Sequence, residues 1–210
     1  MKLMNRMEER VIEMIEDNLR GEAIKAIDTL VRFIENNDGG ELREGLKHTP
    51  ERVIDSYFEI FSGYSDDARI ILDATFNAEG YDGIVLLRDI EFHSTCEHHL
   101  LPFSGTASVA YIPVDKIVGI SKLARLVDMY ARRLQNQERI TKSIANDLES
   151  ILKPLGSAVI IDASHGCMAC RGVKKQQSIM TTSAMNGVFF ENSEARSELL
   201  QLISRNTLNR

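Results

Sequence analysis

Apolar residues recur at three- and four-residue intervals through the first third of the chain. Over residues 8–35 they fall at Val11, Ile12, Ile15 and Leu19, then at Ala23, Ile24, Ile27, Leu30, Val31 and Ile34, which is the stripe of an amphipathic helix. Gly21 reads as a break between two helices, and the NNDGG run at 36–40 as a stop and turn. Thr49-Pro50 has the form of an N-cap followed by proline at the first helical position. It opens a helix to about residue 61, which Ser62-Gly63 closes. After a loop near 79–83 the period changes. Segments 84–92 and 106–112 are rich in β-branched and apolar residues and read as strands, the second ended by Pro113. Two helices follow. Ser121 caps the first, with Leu123, Leu126, Val127, Tyr130 and Leu134 inward, and the second runs from about 137 to 152, ended by Pro154 and Gly156. Residues 158–163 form a short apolar strand, and 178–190 holds at least one more. The order β-β-α-α-β-β predicts an α+β fold, an antiparallel sheet with two helices on one face. An N-terminal helical region, 1–83, precedes this domain, 84–210.

Composition narrows the class. A chain of 210 residues with 43 % hydrophobic and 27 % charged residues is long enough for one sizeable core and has the balance of a soluble globular protein. Charges interrupt the apolar positions near the N-terminus, and no later stretch offers 18 uninterrupted apolar residues. Neither a signal peptide nor a membrane span is expected, and the chain reads as cytoplasmic. The net charge of −6 disfavours nucleic acid as a partner. Two basic islands stand against that average: the stretch 116–142, and Arg171, Lys174 and Lys175. Read as sites rather than as solvated helix faces, they suit a small anion better than a polyanion.

The rare residues gather. Three cysteines with no framework spacing point to thiolate or metal chemistry rather than to disulfides. All three, with His93, His98, His99 and His165, fall within EFHSTCEHHLLPF (91–103) and DASHGCMACRG (162–172). Cys96-x2-His99 and Cys167-x2-Cys170 have zinc-ligand spacing. Four ligands would close a structural site, whereas three would leave a position open for water, and spacing does not choose between them. The flanking His98 and His165 favour the open site, because imidazoles beside a metal serve acid–base catalysis. Zinc lowers the pKa of coordinated water to about 7, so the residues point to metal-assisted hydrolysis. At the start of the first predicted helix, Ser121, Lys122 and Arg125 share a turn where free N–H groups favour an anion such as phosphate. A capped helix with exposed bases is an equal reading there. Gln137-Glu138 opens the next helix, where a carboxylate could accept two N–H bonds from an amino-purine edge.

CEHHLLPFSG, VAYIP, GISKLARLVDMYARRLQNQERIT, the H-x-C-M-x-x-RG run at 165–172, TTSAMNGVF and GLKHTPERV resemble the GTP cyclohydrolase I family over roughly residues 45–190. The resemblance implies the tunnelling fold and one zinc ion per subunit, held by Cys96, His99 and Cys167. It makes His98 and His165 the catalytic acid–base pair, and Glu138 with Gln137 the guanine reader. Ser121, Lys122, Arg125 and Arg171 become triphosphate and ribose contacts, and Arg52 a residue supplied by a neighbouring subunit. The implied reaction opens the imidazole ring of GTP at C8, releases formate and yields 7,8-dihydroneopterin triphosphate, the first step of tetrahydrofolate and pterin biosynthesis. The implied assembly is a toroidal homodecamer with active sites between subunits. Cys170 is then a spare thiol. The rivals are a structural-zinc module, a deaminase, and a tunnelling-fold relative with other pterin or deazapurine chemistry. A deaminase needs H-x-E and P-C-x-x-C motifs, which are absent here.

Overall fold

The computed structural model describes residues 2–205, with side chains from Asn18 onward. Packing divides the chain into two units, one ending at Glu59 and the other beginning at Ile60. In the first, α1 (Lys2–Ile34) runs through Gly21 without a break. A glycine inside a helix costs about 1 kcal/mol relative to alanine, too little to stop one whose neighbours favour it. The expected inward positions Val11, Ile12 and Ile15 lie outside the residues whose side chains are described, and Leu19, Leu30 and Ile34 are exposed. Helix α2 (Thr49–Ile60) starts one residue earlier than expected, and the Thr49 hydroxyl donates to the Gly45 carbonyl instead of capping. An ion pair of 2.6 Å between Arg20 and Asp55 ties α1 to α2.

The second unit holds α3 (Ala68–Leu72) and a small sheet of β1 (Thr75–Asn77) with β4 (Lys116–Val118). Its main sheet consists of β2 (Val85–Cys96), β3 (Pro102–Ile112), β5 (Leu134–Gln135), β6 (Gly156–His165) and β7 (Met180–Gly187), in the order β5-β2-β3-β6-β7. All pairings are antiparallel except the short one between β5 and β2. Helices α4 (Ile120–Ala131) and α5 (Gln137–Asp147) cover one face. There Phe92, Val109, Tyr111 and Ile161 meet Leu126 and Val127 of α4 and Ile140 and Ile144 of α5. After the short turn α6 (Gly166–Ala169) and β7, the terminal α7 (Val188–Glu191) and α8 (Ser193–Ser204) cover Ala110, Ile112 and Ala158 with Phe189 and Leu199. The β-β-α-α-β-β order is therefore present with small strands added. Ala68 and Leu72 belong to the main core, so residues 60–83 fall in the unit that holds the sheet.

Several boundaries differ from expectation, each for a local reason. Strand β2 continues past residue 92 because Phe92, Ser94 and Cys96 alternate as buried positions with exposed Glu91 and His93. A bulge at Arg88–Asp89, with Asp89 at φ 58°, shifts the pairing by one residue. Val85 and Leu87 before it, and Ile90 and Phe92 after it, consequently reach the same core. Ser121 does not cap α4; Gly119 precedes the helix, and the Lys122 N–H bonds the Gly119 carbonyl. The helical ladder of α5 ends at Asp147 and widens into a π turn over Leu148–Leu152.

Register then fixes where the motifs lie. Gln135 pairs with Cys96, Pro102 with Thr95 and Phe103 with His165, so segments 96–99, 135–139 and 165–171 meet at one end of the sheet. Close approach of β3 and β6 just behind this end depends on Gly105, where a Cβ would lie 1.9 Å from the Asp162 carbonyl oxygen. Helix α4 begins at the opposite end: Gly119 bonds Ala74, and Val118 bonds the Tyr111 hydroxyl. It runs back along β2 to reach β5.

Candidate active site and metal centre

Cys96 is the last residue of β2. Its N–H bonds the Leu101 carbonyl at 2.8 Å and its carbonyl accepts from Leu100 at 2.9 Å, closing a turn in which Leu100 takes φ 53°. This turn carries His98 and His99 back past the cysteine, with their Nδ1 atoms 3.8 Å and 3.7 Å from Cys96 Sγ. From the other side, β6 ends at His165, and α6 presents Cys167 two residues later. Gly166 has a packing reason that the sequence did not show: a Cβ there would come 2.7 Å from the Pro102 carbonyl oxygen.

The donor atoms of Cys96, His99 and Cys167 all lie within 4.8 Å of one another. Ligands about 2.0–2.3 Å from a tetrahedral ion stand roughly 3.3–3.8 Å apart, so the 3.7 Å between Cys96 Sγ and His99 Nδ1 fits a shared metal. Burial pushes the Cys167 thiol above its ordinary pKa, and the neighbouring Cys96 sulfur pushes it further. Two thiolates this close ionise together only when a cation neutralises them, and that is what a metal supplies. A soft two-sulfur, one-imidazole set suits zinc and leaves a fourth position open. Cys170 is exposed and stands outside the cluster. A Cys170→Ala protein is therefore expected to keep one metal ion per chain, measured by elemental analysis. Loss of the ion would mean a four-ligand site.

His165 lies against Phe103, ring centroids 4.5 Å apart and planes 5° from parallel, and its Nε2 meets Gln137 Oε1 at 2.9 Å. Burial pushes its pKa below the ordinary imidazole value, partly opposed by the Glu138 carboxylate. Gln137 requires a correction. Its side chain, expected beside Glu138 as a reader of a base, is fully buried, and its amide nitrogen is spent on the carbonyls of Ile161 and Met180. Successive helix positions point about 100° apart, so only one of the pair faces out. That residue is Glu138, which is exposed at a groove of about 420 Å³ between α5 and β7, lined also by Thr141, Lys142 and Thr182.

Three residues that sequence reasoning missed tie the halves of the site together. Arg139 donates to both Glu97 oxygens at 2.5 and 3.0 Å, and Asn136 Nδ2 donates to one of them at 3.0 Å. Asn136 Oδ1 also caps α5 through the Arg139 N–H at 2.8 Å. The Arg139 guanidinium holds the Glu97 carboxyl below the usual carboxylate range. Glu97 adjoins Cys96 and Arg139 adjoins Glu138, so the clamp joins the metal turn to the start of α5. Only the β2–β5 register reveals it.

The predicted anion contacts are dispersed. Arg171 is exposed in the segment after α6, at the same end of the sheet as the metal donors. Ser121 and Lys122 lie in the first turn of α4 and Arg125 near its middle. At 1.5 Å per residue the helix runs on about 15 Å beyond Ser121 and about 9 Å beyond Arg125 before it ends near β5. Arg52 is exposed on α2 in the first unit.

A model of one family matches residues 23–204, nearly the whole chain, and its description is GTP cyclohydrolase I. The chain belongs to the GTP cyclohydrolase I family. It is 51 % identical over 158 residues to GTP cyclohydrolase 1 of Wolinella succinogenes, covering 75 % of this chain and 84 % of that one. Against GTP cyclohydrolase 1 of Rickettsia prowazekii the identity is 49 % over 187 residues, covering 89 % and 97 %. The protein of the same name from a Synechococcus strain is 49 % identical over 180 residues, covering 86 % and 77 %. Membership of the GTP cyclohydrolase I family makes the protein an enzyme and agrees with the α+β tunnelling arrangement. No described helix is long and apolar enough to cross a membrane.

Proposed function

We propose that the protein is a zinc-dependent enzyme that hydrolyses GTP at C8, releases formate and forms 7,8-dihydroneopterin triphosphate. The observation that carries this reading is the meeting of Cys96, His99 and Cys167 with His98, His165 and Glu138 at one end of the sheet. Zinc held by the two cysteines and His99, one ion per subunit, would supply Lewis acidity and a water that ionises near neutral pH.

The remaining work belongs to side chains of the chain itself. Glu138, exposed at the groove, accepts N–H bonds from N1 and the 2-amino group of guanine and so fixes which ring edge enters. His165, kept neutral by burial, can take up a proton. His98, beside Cys96 and with its side chain 65 % exposed, is open to solvent. Both hydrolytic steps expel a nitrogen that leaves protonated, and the later ribose rearrangement moves protons between carbon and oxygen. Paired imidazoles serve both tasks.

Ser121, Lys122, Arg125 and Arg171 bind the triphosphate in this reading. Ser121 begins about 15 Å of helix away from the β5 end of its own chain, which supports a site shared between copies, with α4 and Arg52 supplied by a neighbour. A toroidal homodecamer is the assembly we propose. Free Cys96, Cys167 and Cys170 suit a reducing compartment, and a cytoplasmic location is part of the proposal.

Base reading is tested by Glu138→Gln, assayed with GTP and with inosine triphosphate, which lacks the 2-amino group. A hydrogen bond to a charged group is worth about 1.5–3 kcal/mol, so KM for GTP should rise roughly 10- to 100-fold, and the preference for GTP should collapse. An unchanged GTP-to-inosine-triphosphate ratio would remove Glu138 from the base site.

A further inference from the structure

We propose that Gln137 is a positioning residue that sets the tautomer of His165, keeping the ring hydrogen on Nε2 and leaving Nδ1 as the nitrogen that accepts a proton from substrate. The kinetic arm of this proposal rests on the GTP reading above; its structural arm does not.

The orientation of the Gln137 amide is dictated by its surroundings. Its nitrogen lies 2.9 Å from the Ile161 carbonyl oxygen, 2.9 Å from the Met180 carbonyl oxygen and 3.1 Å from Thr182 Oγ1. Backbone carbonyls only accept, so a flipped amide would set its own oxygen against two others inside the protein. The threonines agree on the direction. Thr141 spends its hydroxyl hydrogen on the Gln137 carbonyl at 2.8 Å, so at 2.7 Å it must accept from Thr182. Thr182 Oγ1 then turns only lone pairs toward the Gln137 amide, which suits its NH2 group and would repel its oxygen. Each hydroxyl has one hydrogen, and the chain closes in a single sense.

What remains is Oε1, facing His165 Nε2 at 2.9 Å. An amide oxygen only accepts, so Nε2 must carry the hydrogen in every state in which this bond is made. The ring is also held in plane by its stack on Phe103, itself 1 % exposed. Gln137 is wholly enclosed and therefore has no atom to offer a base. Its place beneath His165, one residue before the exposed Glu138, gives the first turn of α5 two tasks on two faces.

Neutron diffraction from crystals of the zinc-loaded enzyme, exchanged into D2O at pD 8, reads the tautomer directly. A deuteron on His165 Nε2 alone is the expected result, and a deuteron on Nδ1 overturns the proposal. Kinetics give the second readout. Gln137→Met keeps most of the volume and removes the acceptor. Its kcat should fall about 100-fold, the lower range for a correctly placed acid–base group, with KM for GTP changed less than about threefold and zinc content unchanged. A raised KM with kcat retained would make Gln137 a substrate reader, and no change in either constant would make it dispensable; both outcomes overturn the assignment. If the variant does not fold, the neutron result on the unaltered enzyme decides alone. If the unaltered enzyme does not turn over GTP, the functional reading fails while the tautomer result stands.

Discussion

Cys96→Ser and Cys167→Ser proteins are each expected to lose the metal and the activity together. Each substitution replaces a thiolate with a hydroxyl that does not ionise near neutral pH, leaving two good donors where the geometry offers three. The electrostatics strengthen the expectation. In the folded chain burial and the nearby Cys96 sulfur push the Cys167 thiol up, and a cation held by the cluster would permit both to ionise. Elemental analysis should show zinc reduced to about a tenth or less, and formate release from GTP should fall by about three orders of magnitude or more, since the hydrolytic water has lost its Lewis acid. Circular dichroism should remain unchanged, because a serine conserves the volume of a cysteine. A Cys167→Ser protein with a full complement of zinc would refute the assignment of the ligands.

His98→Ala should separate metal from catalysis. His98 Nδ1 and His99 Nδ1 stand almost equally far from Cys96 Sγ, at 3.8 and 3.7 Å, so distance to that sulfur alone does not say which is the ligand. The difference is that His99 also approaches Cys167, whereas the His98 side chain is 65 % exposed and its Nε2 lies 3.8 Å from the Glu97 carboxylate. Losing a positioned acid–base group costs about 10²- to 10⁴-fold in rate. His98→Ala should therefore keep its zinc and lose kcat by that factor, with KM for GTP nearly unchanged, while His99→Ala loses the zinc itself. Loss of zinc from His98→Ala and its retention in His99→Ala would exchange the two roles.

The candidate metal cluster was legible because it is contiguous. CEHHLLPF and HGCMACRG each place a strand end and the candidate ligands beside it within a dozen residues, and a sheet can bring two such ends together in few ways. Amphipathic periodicity gave the element order for the same reason: the core stripe of α4 and the apolar run in β6 are local. Features that depend on partners distant in the chain were not legible. Gln137 looked like a polar residue at a helix start, and only Ile161, Met180 and Thr182, packed above it, make it a buried support. Glu97 and Arg139 are ordinary charges until β2 and β5 pair. Gly21 carries a local breaking signal too weak to end a helix, and the bulge at Arg88–Asp89 hides the strand alternation by changing its parity. The separation of Ser121 and Lys122 from the metal end follows from the direction of α4 along the sheet, which no motif records.

The account is tested most directly by incubating the zinc-loaded protein with GTP and following formate release and pterin fluorescence together, beside the same protein stripped by a chelator. It predicts that both signals rise in step with the loaded protein, are absent from the stripped one, and return when zinc is restored. A fully loaded protein that leaves GTP intact, or releases formate without a pterin signal, would contradict it.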